Sequence, residues 1–214
     1  MNGPEYACPN CGASVRFASR FGISATCQNC RSYLVRHDRD LTKVGEQSEF
    51  MQDMSPFQIG TTGRYEGKGF TLFGRLKVKY PKGTWNEWYA LMDDGSEAWL
   101  AEAQGFYMMS QAIEDKHIPP KTGLKIGKAV DVGEHGSFVI MDIKEVTYAG
   151  SDGELPFEFK PNFRATSVDA FSTDDSFVSF LYEPGLVQGF VGHYLPFESF
   201  SFDNLKEIHG WERL

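Results

Sequence analysis

All four cysteines of the 214-residue chain lie near its beginning and are spaced as two pairs. Cys8 and Cys11 form one C-x2-C pair, and Cys27 and Cys30 form the second. Each such pair can turn tightly and present two thiolates to one ion. Two pairs complete a tetrahedral zinc site with Zn–S bonds of about 2.3 Å. The spacing therefore predicts one structural Zn²⁺ held by all four thiolates, with no position left for a substrate.

Other uses of paired cysteines fit this chain less well. Two disulfides would need an oxidising compartment, and the sequence shows no export signal. A C-x-x-C redox pair usually lies in a βαβ setting, for which we find no pattern. Iron in the same cage is the remaining alternative. A metal is physically expected because a segment of some 35 residues cannot bury enough apolar surface by itself, and zinc supplies on the order of 10–16 kcal/mol of folding free energy.

The residues between the two pairs have the pattern of a short hairpin. Val15 and Phe17 alternate with polar or small residues, and Phe21-Gly22 supplies a turn. The segment "SYLVRH" after Cys30 predicts a third short strand. This arrangement and the "CPNCG" turn resemble a zinc ribbon, which we place at residues 1–37. The second turn, "CQNCR", carries Arg31 where many ribbons have glycine.

The segment up to Lys43 is basic in an otherwise acidic chain. Its three acidic residues are opposed by six basic ones, Arg16, Arg20, Arg31, Arg36, Arg39 and Lys43. The whole chain has a formal net charge of −8, so this segment at +3 leaves −11 for the remainder. An acidic body repels nucleic acid and anionic membrane surfaces. Only the cysteine end therefore favours a polyanion.

Two interpretations of this basic end remain open. Bases and aromatics are interleaved, as in surfaces that bind single-stranded nucleic acid; the residues are Arg16, Phe17, Arg20, Phe21, Arg31, Tyr33 and Arg36. The simpler interpretation is that the aromatic rings pack the small core and the arginines keep it soluble. Nucleic acid therefore stays open as a partner, through the ribbon only.

The body of the protein is predicted to be mainly antiparallel β structure. A polar stretch without periodicity predicts a linker at residues 38–56. Two segments then resemble each other, "QIGTTGRYEGKGFTLFGRLKVKY" and "KIGKAVDVGEHGSFVIMDIKEVTY". They indicate a first β unit at residues 57–118 and a second at 119–214, forming either one body, a sandwich or barrel, or two domains. Chance similarity between β segments is the alternative.

Local signals place a hairpin and a helix in the first unit. Asp94-Gly95 is a strong two-residue turn signal, which would set Met92 opposite Glu97 and Ala90 opposite Trp99. Residues 110–117 predict one short helix capped by Ser110. Such a hairpin, apolar on both faces, belongs in the middle of a sheet or has one face over a ligand.

Several short motifs after Gln58 are similar to those of a known family. "GTWNEWYAL", "GSEAWLAE", "GELPF" and "FLYEPG" resemble a bacterial domain of unknown function, numbered forty-one seventy-eight, over most of residues 57 to 205. The family has no agreed activity, so the resemblance implies no catalytic residues. Its genes tend to lie beside those for polyamine-synthase-like and phage-shock-like membrane-stress proteins. The resemblance therefore implies a role in a bacterial stress or envelope-linked system.

We find no catalytic motif, and the sequence leaves enzymatic activity undecided, leaning against it. It has no G-x-S-x-G, no H-E-x-x-H and no phosphate-binding loop, and its histidines are scattered singly. Residues that could bind a ligand or partner are Trp85, Glu87, Trp88, Trp99 and Glu154. An apolar setting could raise the pKa of either glutamate. Tryptophans beside acids could also hold a cation such as a polyamine.

Three functions follow from these patterns. The first is a non-enzymatic zinc-ribbon interaction or adaptor protein with a protein partner. The second is a nucleic-acid-binding ribbon on an acidic body, and the third is an enzyme or polyamine-binding protein with an unrecognised carboxylate and tryptophan site. No signal peptide and no apolar stretch of about 18 residues is visible, so we expect a soluble cytoplasmic protein. The sequence does not indicate an oligomeric state.

Overall fold

The computed structural model describes residues 3–37, 40–46 and 54–208. The strands are β1 (Glu5–Ala7), β2 (Ser14–Arg16), β3 (Ser24–Thr26), β4 (Ser32–Arg36), β5 (Leu41–Glu46), β6 (Thr62–Tyr65), β7 (Lys68–Tyr80), β8 (Gly83–Met92), β9 (Glu97–Ala103), β10 (Phe106–Ala112), β11 (Ala129–Asp131), β12 (Ser137–Leu155), β13 (Phe163–Phe171), β14 (Ser176–Glu183) and β15 (Leu186–Leu195). Short 3₁₀ helices span Asp115–His117, Gly133–His135 and Phe197–Phe200. None of the helices in the described ranges is long and apolar enough to span a bilayer.

Eight antiparallel strands close into a barrel. Their order around the ring is β7, β8, β9, β10, β15, β14, β13 and β12, and pairing of β12 with β7 closes it. Strands β6 and β11 pair with β7 and β12 outside the ring. The predicted all-β class is confirmed, and of the two predicted arrangements of the body the barrel is the one that forms. Strands from both predicted units contribute to this one ring.

The two segments of the predicted repeat have the same local structure at their start. Gly60 donates its backbone N–H to the carbonyl of Leu72 at 2.8 Å, and Gly127 donates to the carbonyl of Ile140 at 2.7 Å. Both glycines have left-handed backbone conformations, with φ of +86° and +82°. Each bond joins the entry of a unit to its long strand, β7 or β12. The two units therefore begin with the same local structure.

Side chains are buried both in the interior of the barrel and on its outer surface. Tyr89 of β8 and Leu181 of β14 belong to one buried cluster although their strands lie on opposite sides of the ring, so this cluster is the interior. On the outer face of the first unit, Phe57 and Phe200 pack over Trp88. Burial of apolar groups on both faces of the ring explains why its strands lack clean alternation.

The hairpin of β8 and β9 forms where predicted, but its register differs by one residue. Tyr89 pairs with Trp99, and Ala90 pairs with Ala98. Gly95, at φ of +84°, donates its N–H to the carbonyl of Met92 at 2.9 Å, which makes the loop one residue longer than the predicted two-residue turn. A three-residue loop with glycine in the left-handed region is the next common hairpin type.

The helix predicted at residues 110–117 is wrong. Ser110 to Ala112 belong to β10 and pair with β15 in the closed ring, and only Asp115–His117 form one 3₁₀ turn. The short local helical signal is weaker than the backbone pairing on both sides of β10, which the closed barrel requires.

Part of the predicted linker is a strand. Leu41–Glu46 form β5, which pairs with β4, and Leu41 is buried. Residues 38–39 and 47–53 of the predicted linker, and residues 209–214 of the second unit, lie outside the described ranges. We call residues 3–37 together with β5 the cysteine module. Strands β5, β4 and β3 continue the barrel sheet from β12, whereas β1 and β2 form a separate pair.

Candidate metal centre

The two cysteine pairs lie in turns of the same geometry. Gly12 donates its backbone N–H to the carbonyl of Cys8 at 2.8 Å, and Arg31 donates to the carbonyl of Cys27 at 2.9 Å. Gly12 and Arg31 are both left-handed, with φ of +75° and +59°. That conformation costs a non-glycine residue roughly 1–2 kcal/mol. Arg31, which departs from the ribbon pattern in sequence, therefore keeps the ribbon conformation at a cost.

These turns bring the four thiols together. All four Sγ atoms lie within 4.8 Å of one another. The Sγ atoms of Cys8 and Cys30 are 3.7 Å apart, and those of Cys11 and Cys27 are 3.8 Å apart. Cys8 and Cys27 are buried, whereas Cys11 is exposed. The arrangement can hold one metal ion at the module surface, with two ligands facing its core.

The apolar core of the cysteine module is small. Beside Cys8 and Cys27 it holds five buried residues, Val15, Phe17, Ala25, Leu34 and Leu41. Two of its seven members are thus cysteines of the candidate metal centre. A core of this size cannot stabilise a separate domain without a metal or a neighbouring surface.

The module has such a neighbouring surface, the end of β12. Ile23 donates its N–H to the carbonyl of Leu155 at 2.8 Å, and β3 pairs with β12 from Ser24 and Ala25. In the first unit, the long strand stops at Tyr80, which corresponds to Tyr148. β12 instead continues to Leu155. The extra residues of the second unit supply the strand on which the module docks.

Tyr33 of the module joins the barrel interior. Its side chain is 2% exposed and belongs to the same buried cluster as Tyr89 and Leu155. Its ring lies 5.1 Å from that of Phe159, edge to face. The backbone N–H of Ser151 donates to the Tyr33 hydroxyl at 3.4 Å. The module therefore completes one part of the barrel core.

Glu154, which the sequence marks as a candidate for ligand or partner binding, contacts the module through its carboxylate. Its Oε1 accepts the backbone N–H of Ala18 at 2.7 Å, and its Oε2 accepts that of Ser19 at 2.9 Å. The carboxyl is buried, and burial raises its pKa although both N–H donors favour the ionised form. Both oxygens are engaged by the module backbone, which explains the position of this acid.

Trp85, Glu87 and Trp99 share the inner face of the barrel: Trp85 and Glu87 alternate on β8, and Trp99 of β9 pairs with Tyr89. Trp85 donates its indole N–H to Oε1 of Glu87 at 3.0 Å. Burial raises the pKa of Glu87 to about 7, against hydrogen bonds from Trp85 and Tyr148 that lower it. Near neutral pH this carboxyl can therefore exchange a proton.

Lys144 lies beside this group and is a residue that sequence reasoning missed. Its Nζ donates to Asp142 at 2.7 Å and to Asp169 at 2.8 Å. The ammonium also lies 5.3 Å from the Trp85 ring and 5.9 Å from that of Tyr80. Burial alone would lower the pKa of Lys144, but the two aspartates outweigh burial and raise it. Only closure of the ring brings these distant residues together, so no local signal could have found them.

Trp88 does not face the barrel interior with Trp85, Glu87 and Trp99. It faces the outside of the ring, where it is 1% exposed and packs edge to face on Phe57 at 5.9 Å. Its indole N–H donates to Glu102 at 3.3 Å, and the Arg75 guanidinium lies 5.1 Å from its ring. Trp88 is therefore a core residue with its polar atom satisfied.

Several of the residues that suggested nucleic-acid binding are either buried or have contacts within the protein. Phe17 and Tyr33 are 0% and 2% exposed, so neither ring can stack on a base. Arg16 forms an ion pair with Glu5 at 3.2 Å, and Arg31 lies 3.7 Å from a carboxylate oxygen of Asp152. Arg36 lies over the Phe17 ring at 4.9 Å. The packing interpretation of these residues agrees better with the structure.

The fold and the site define a closed antiparallel β-barrel protein with a four-cysteine module docked on one strand. The chain belongs to the family described as "Domain of unknown function (DUF4178)", whose match spans residues 58–197, more than half of the chain. The family match begins after the cysteine module and covers the barrel. No curated protein and no solved structure matches the chain.

Proposed function

We propose that the protein is a non-enzymatic zinc-binding interaction protein, in which the metal builds the cysteine module and the module and barrel act together on a protein partner. The separation of the thiols carries the metal assignment. In a tetrahedron with metal–sulfur bonds of about 2.3 Å, sulfurs are about 3.8 Å apart. Opposite pairs in this site are 3.7 and 3.8 Å apart.

A structural role for the metal follows from its ligand set. Four thiolates fill all positions of a tetrahedral ion, so none remains for water or substrate.

The polar residues of the barrel interior also support a non-enzymatic role. The partly buried Lys144 is paired with two aspartates, and Glu87 accepts a hydrogen bond from Trp85. These groups satisfy one another, which is typical of a structural polar network. The cysteine module instead offers a rigid surface fixed to an acidic barrel.

Metal analysis of the full-length protein tests the first half of the proposal. One zinc per chain with four protected thiols is expected. One iron per chain, or two disulfides with no metal, would contradict it. The second half needs a capture experiment in a bacterial lysate, with nuclease-treated and untreated samples. Full-length protein should retain a discrete protein set that Cys27→Ser loses and nuclease does not change.

Glu5→Gln, at an exposed side chain of the module, is the matched control for the capture experiment. It should retain the same proteins as the wild type. Material that vanishes with nuclease would favour nucleic-acid binding in place of a protein partner. Proteins retained equally by Cys27→Ser would show that the module is not part of the interaction.

Lys144 disfavours binding of a polyamine beside Trp85 and Glu87 in the barrel interior. A ligand ammonium would seek the carboxylates and the Trp85 face, and the Lys144 ammonium already occupies that environment. Calorimetry with spermidine should therefore show no heat for the wild type. Binding at millimolar spermidine that Glu87→Gln abolishes would revive the polyamine hypothesis.

A further inference from the structure

Three adjacent strands place two basic residues in one row on the outer face of the barrel. Thr147 of β12 pairs with Lys79 of β7 on one side and with Arg164 of β13 on the other. Directly paired residues point to the same face of a sheet, and neighbouring strands are about 4.8 Å apart. The Lys79 and Arg164 backbones are thus separated by about 10 Å. Both side chains can reach an anion above Thr147.

A shallow groove of about 330 Å³ lies along this row. Its lining includes Lys79, Thr147 and Arg164, and its apolar part is formed by the exposed Pro81 and the partly exposed Tyr80. Lys79 and Arg164 are exposed, whereas Val146 is buried. The groove therefore has a basic, hydroxyl-bearing side and an apolar side.

In the part of the chain that the structure describes, neither basic residue of the groove is neutralised by an ion pair. Among the described residues, Lys79 and Arg164 have no carboxylate within ion-pair distance, unlike Lys68, which is paired with Asp94. Glu145 also lines the groove, where its Oε1 accepts a hydrogen bond from the Thr166 hydroxyl, and the two basic residues outnumber this single carboxylate.

From this arrangement we infer that the groove binds a small soluble phosphate ester, with its phosphoryl group between Lys79 and Arg164. Arginine provides a planar fork of donors for phosphate oxygens, and lysine adds a point charge. The Thr147 hydroxyl can donate to a third oxygen. The organic part of the ligand would lie against Tyr80 and Pro81. This inference goes beyond the proposed zinc-dependent interaction and does not rest on it.

The inference is tested by calorimetric titration of the full-length, zinc-loaded protein with phenyl phosphate and with inorganic phosphate. Phenyl phosphate should bind more tightly, because its ring contacts the apolar wall. The double variant Lys79→Gln/Arg164→Gln should bind phenyl phosphate at least about tenfold more weakly, since two charge-assisted hydrogen-bond donors are lost. Raising the salt concentration should weaken wild-type binding.

The control variant is Lys125→Gln/Lys128→Gln, which changes the net charge equally at exposed positions outside the groove. It should bind phenyl phosphate as the wild type does. Equal affinities of all three proteins, or no binding at millimolar phenyl phosphate, would overturn the inference. Vesicles containing phosphatidic acid form a further arm, and binding to the vesicles alone would assign the groove to a lipid headgroup and overturn a soluble ligand.

Discussion

The cysteine module and the barrel reach stable folds by different means. The barrel closes eight strands around an interior cluster. Two further apolar clusters, each drawn mainly from one unit, cover its outer surface. The module has one small cluster, in which two of seven residues are cysteines. The barrel is thus stabilised mainly by burial of apolar surface, whereas the core of the module is too small to be stable without a metal or a docking surface. The comparison teaches that a small module can gain stability from two sources that are separately testable.

Metal removal should give the largest effect. Structural zinc supplies on the order of 10–16 kcal/mol to a small module, so chelation or Cys27→Ser should unfold the cysteine module. The barrel should stay folded at lower stability, because Tyr33 leaves its interior cluster. Thermal unfolding followed by circular dichroism should change from one transition to a partly unfolded state with a lower Tm, and added zinc should restore the chelated wild type. An unchanged melting curve after chelation would show that the metal does not hold the module.

Glu154→Gln tests the docking without touching the metal. One of two charge-assisted acceptors for the Ala18 and Ser19 amides becomes an NH₂ group that faces a donor. Leaving a buried group unsatisfied costs about 1–3 kcal/mol. Chemical denaturation should show this loss of stability, with zinc content unchanged. Glu158→Gln, at an exposed position four residues away, should be neutral, and equal stabilities of the two variants would remove the proposed role of Glu154.

Glu87→Gln tests the barrel interior through pH. The folded protein holds the Glu87 proton with a pKa of about 7, above the ordinary value of 4.5. Stability should therefore fall as pH rises between these values, by at most ~1.4 kcal/mol per unit. Glutamine does not titrate, so it removes this pH dependence. The unfolding free energy of the variant, measured relative to that of the wild type, should therefore be higher at pH 8 than at pH 5. The same difference in unfolding free energy at both pH values would show that Glu87 titrates normally.

The smallest expected effects come from substitutions in the turns that hold the two cysteine pairs. Arg31→Gly should relieve roughly 1 kcal/mol of left-handed strain. It also removes a partly exposed ion pair with Asp152, worth about 0–1 kcal/mol. A net gain near zero to about 1 kcal/mol in zinc-loaded protein is expected, measured by denaturant unfolding. Gly12→Ala, in the turn of the other cysteine pair, should lower the free energy of unfolding by about 1 kcal/mol. A clear loss for Arg31→Gly would mean that the Asp152 contact outweighs the strain.

Sequence reasoning succeeded where the signal is local. The spacing of Cys8, Cys11, Cys27 and Cys30 predicts thiols that the structure brings within 4.8 Å of one another. Asp94-Gly95 marks a real hairpin, but a turn signal does not fix the loop length, and one residue changes the register. The repeat is visible because each unit starts with the same glycine-dependent turn.

Sequence reasoning failed where contacts join distant parts of the chain. The pairing of β7 with β12 joins residues such as Val78 and Tyr148, and nothing local specifies that closure. Glu154 acts on Ala18 and Ser19 across more than 130 positions. β5 has a polar sequence because it lies at the end of the sheet order, so it has the composition of a linker.

Hydrogen exchange of the full-length protein with and without a chelator tests the central claim, that the metal-held module is locked onto the barrel. Without metal, we predict faster exchange in the module and in Glu154 and Leu155 of β12, which pair with β3. Strands β14 and β15, which do not pair with the module, should keep their protection. Unchanged protection of β3 and of Glu154 and Leu155 after metal removal would contradict the account.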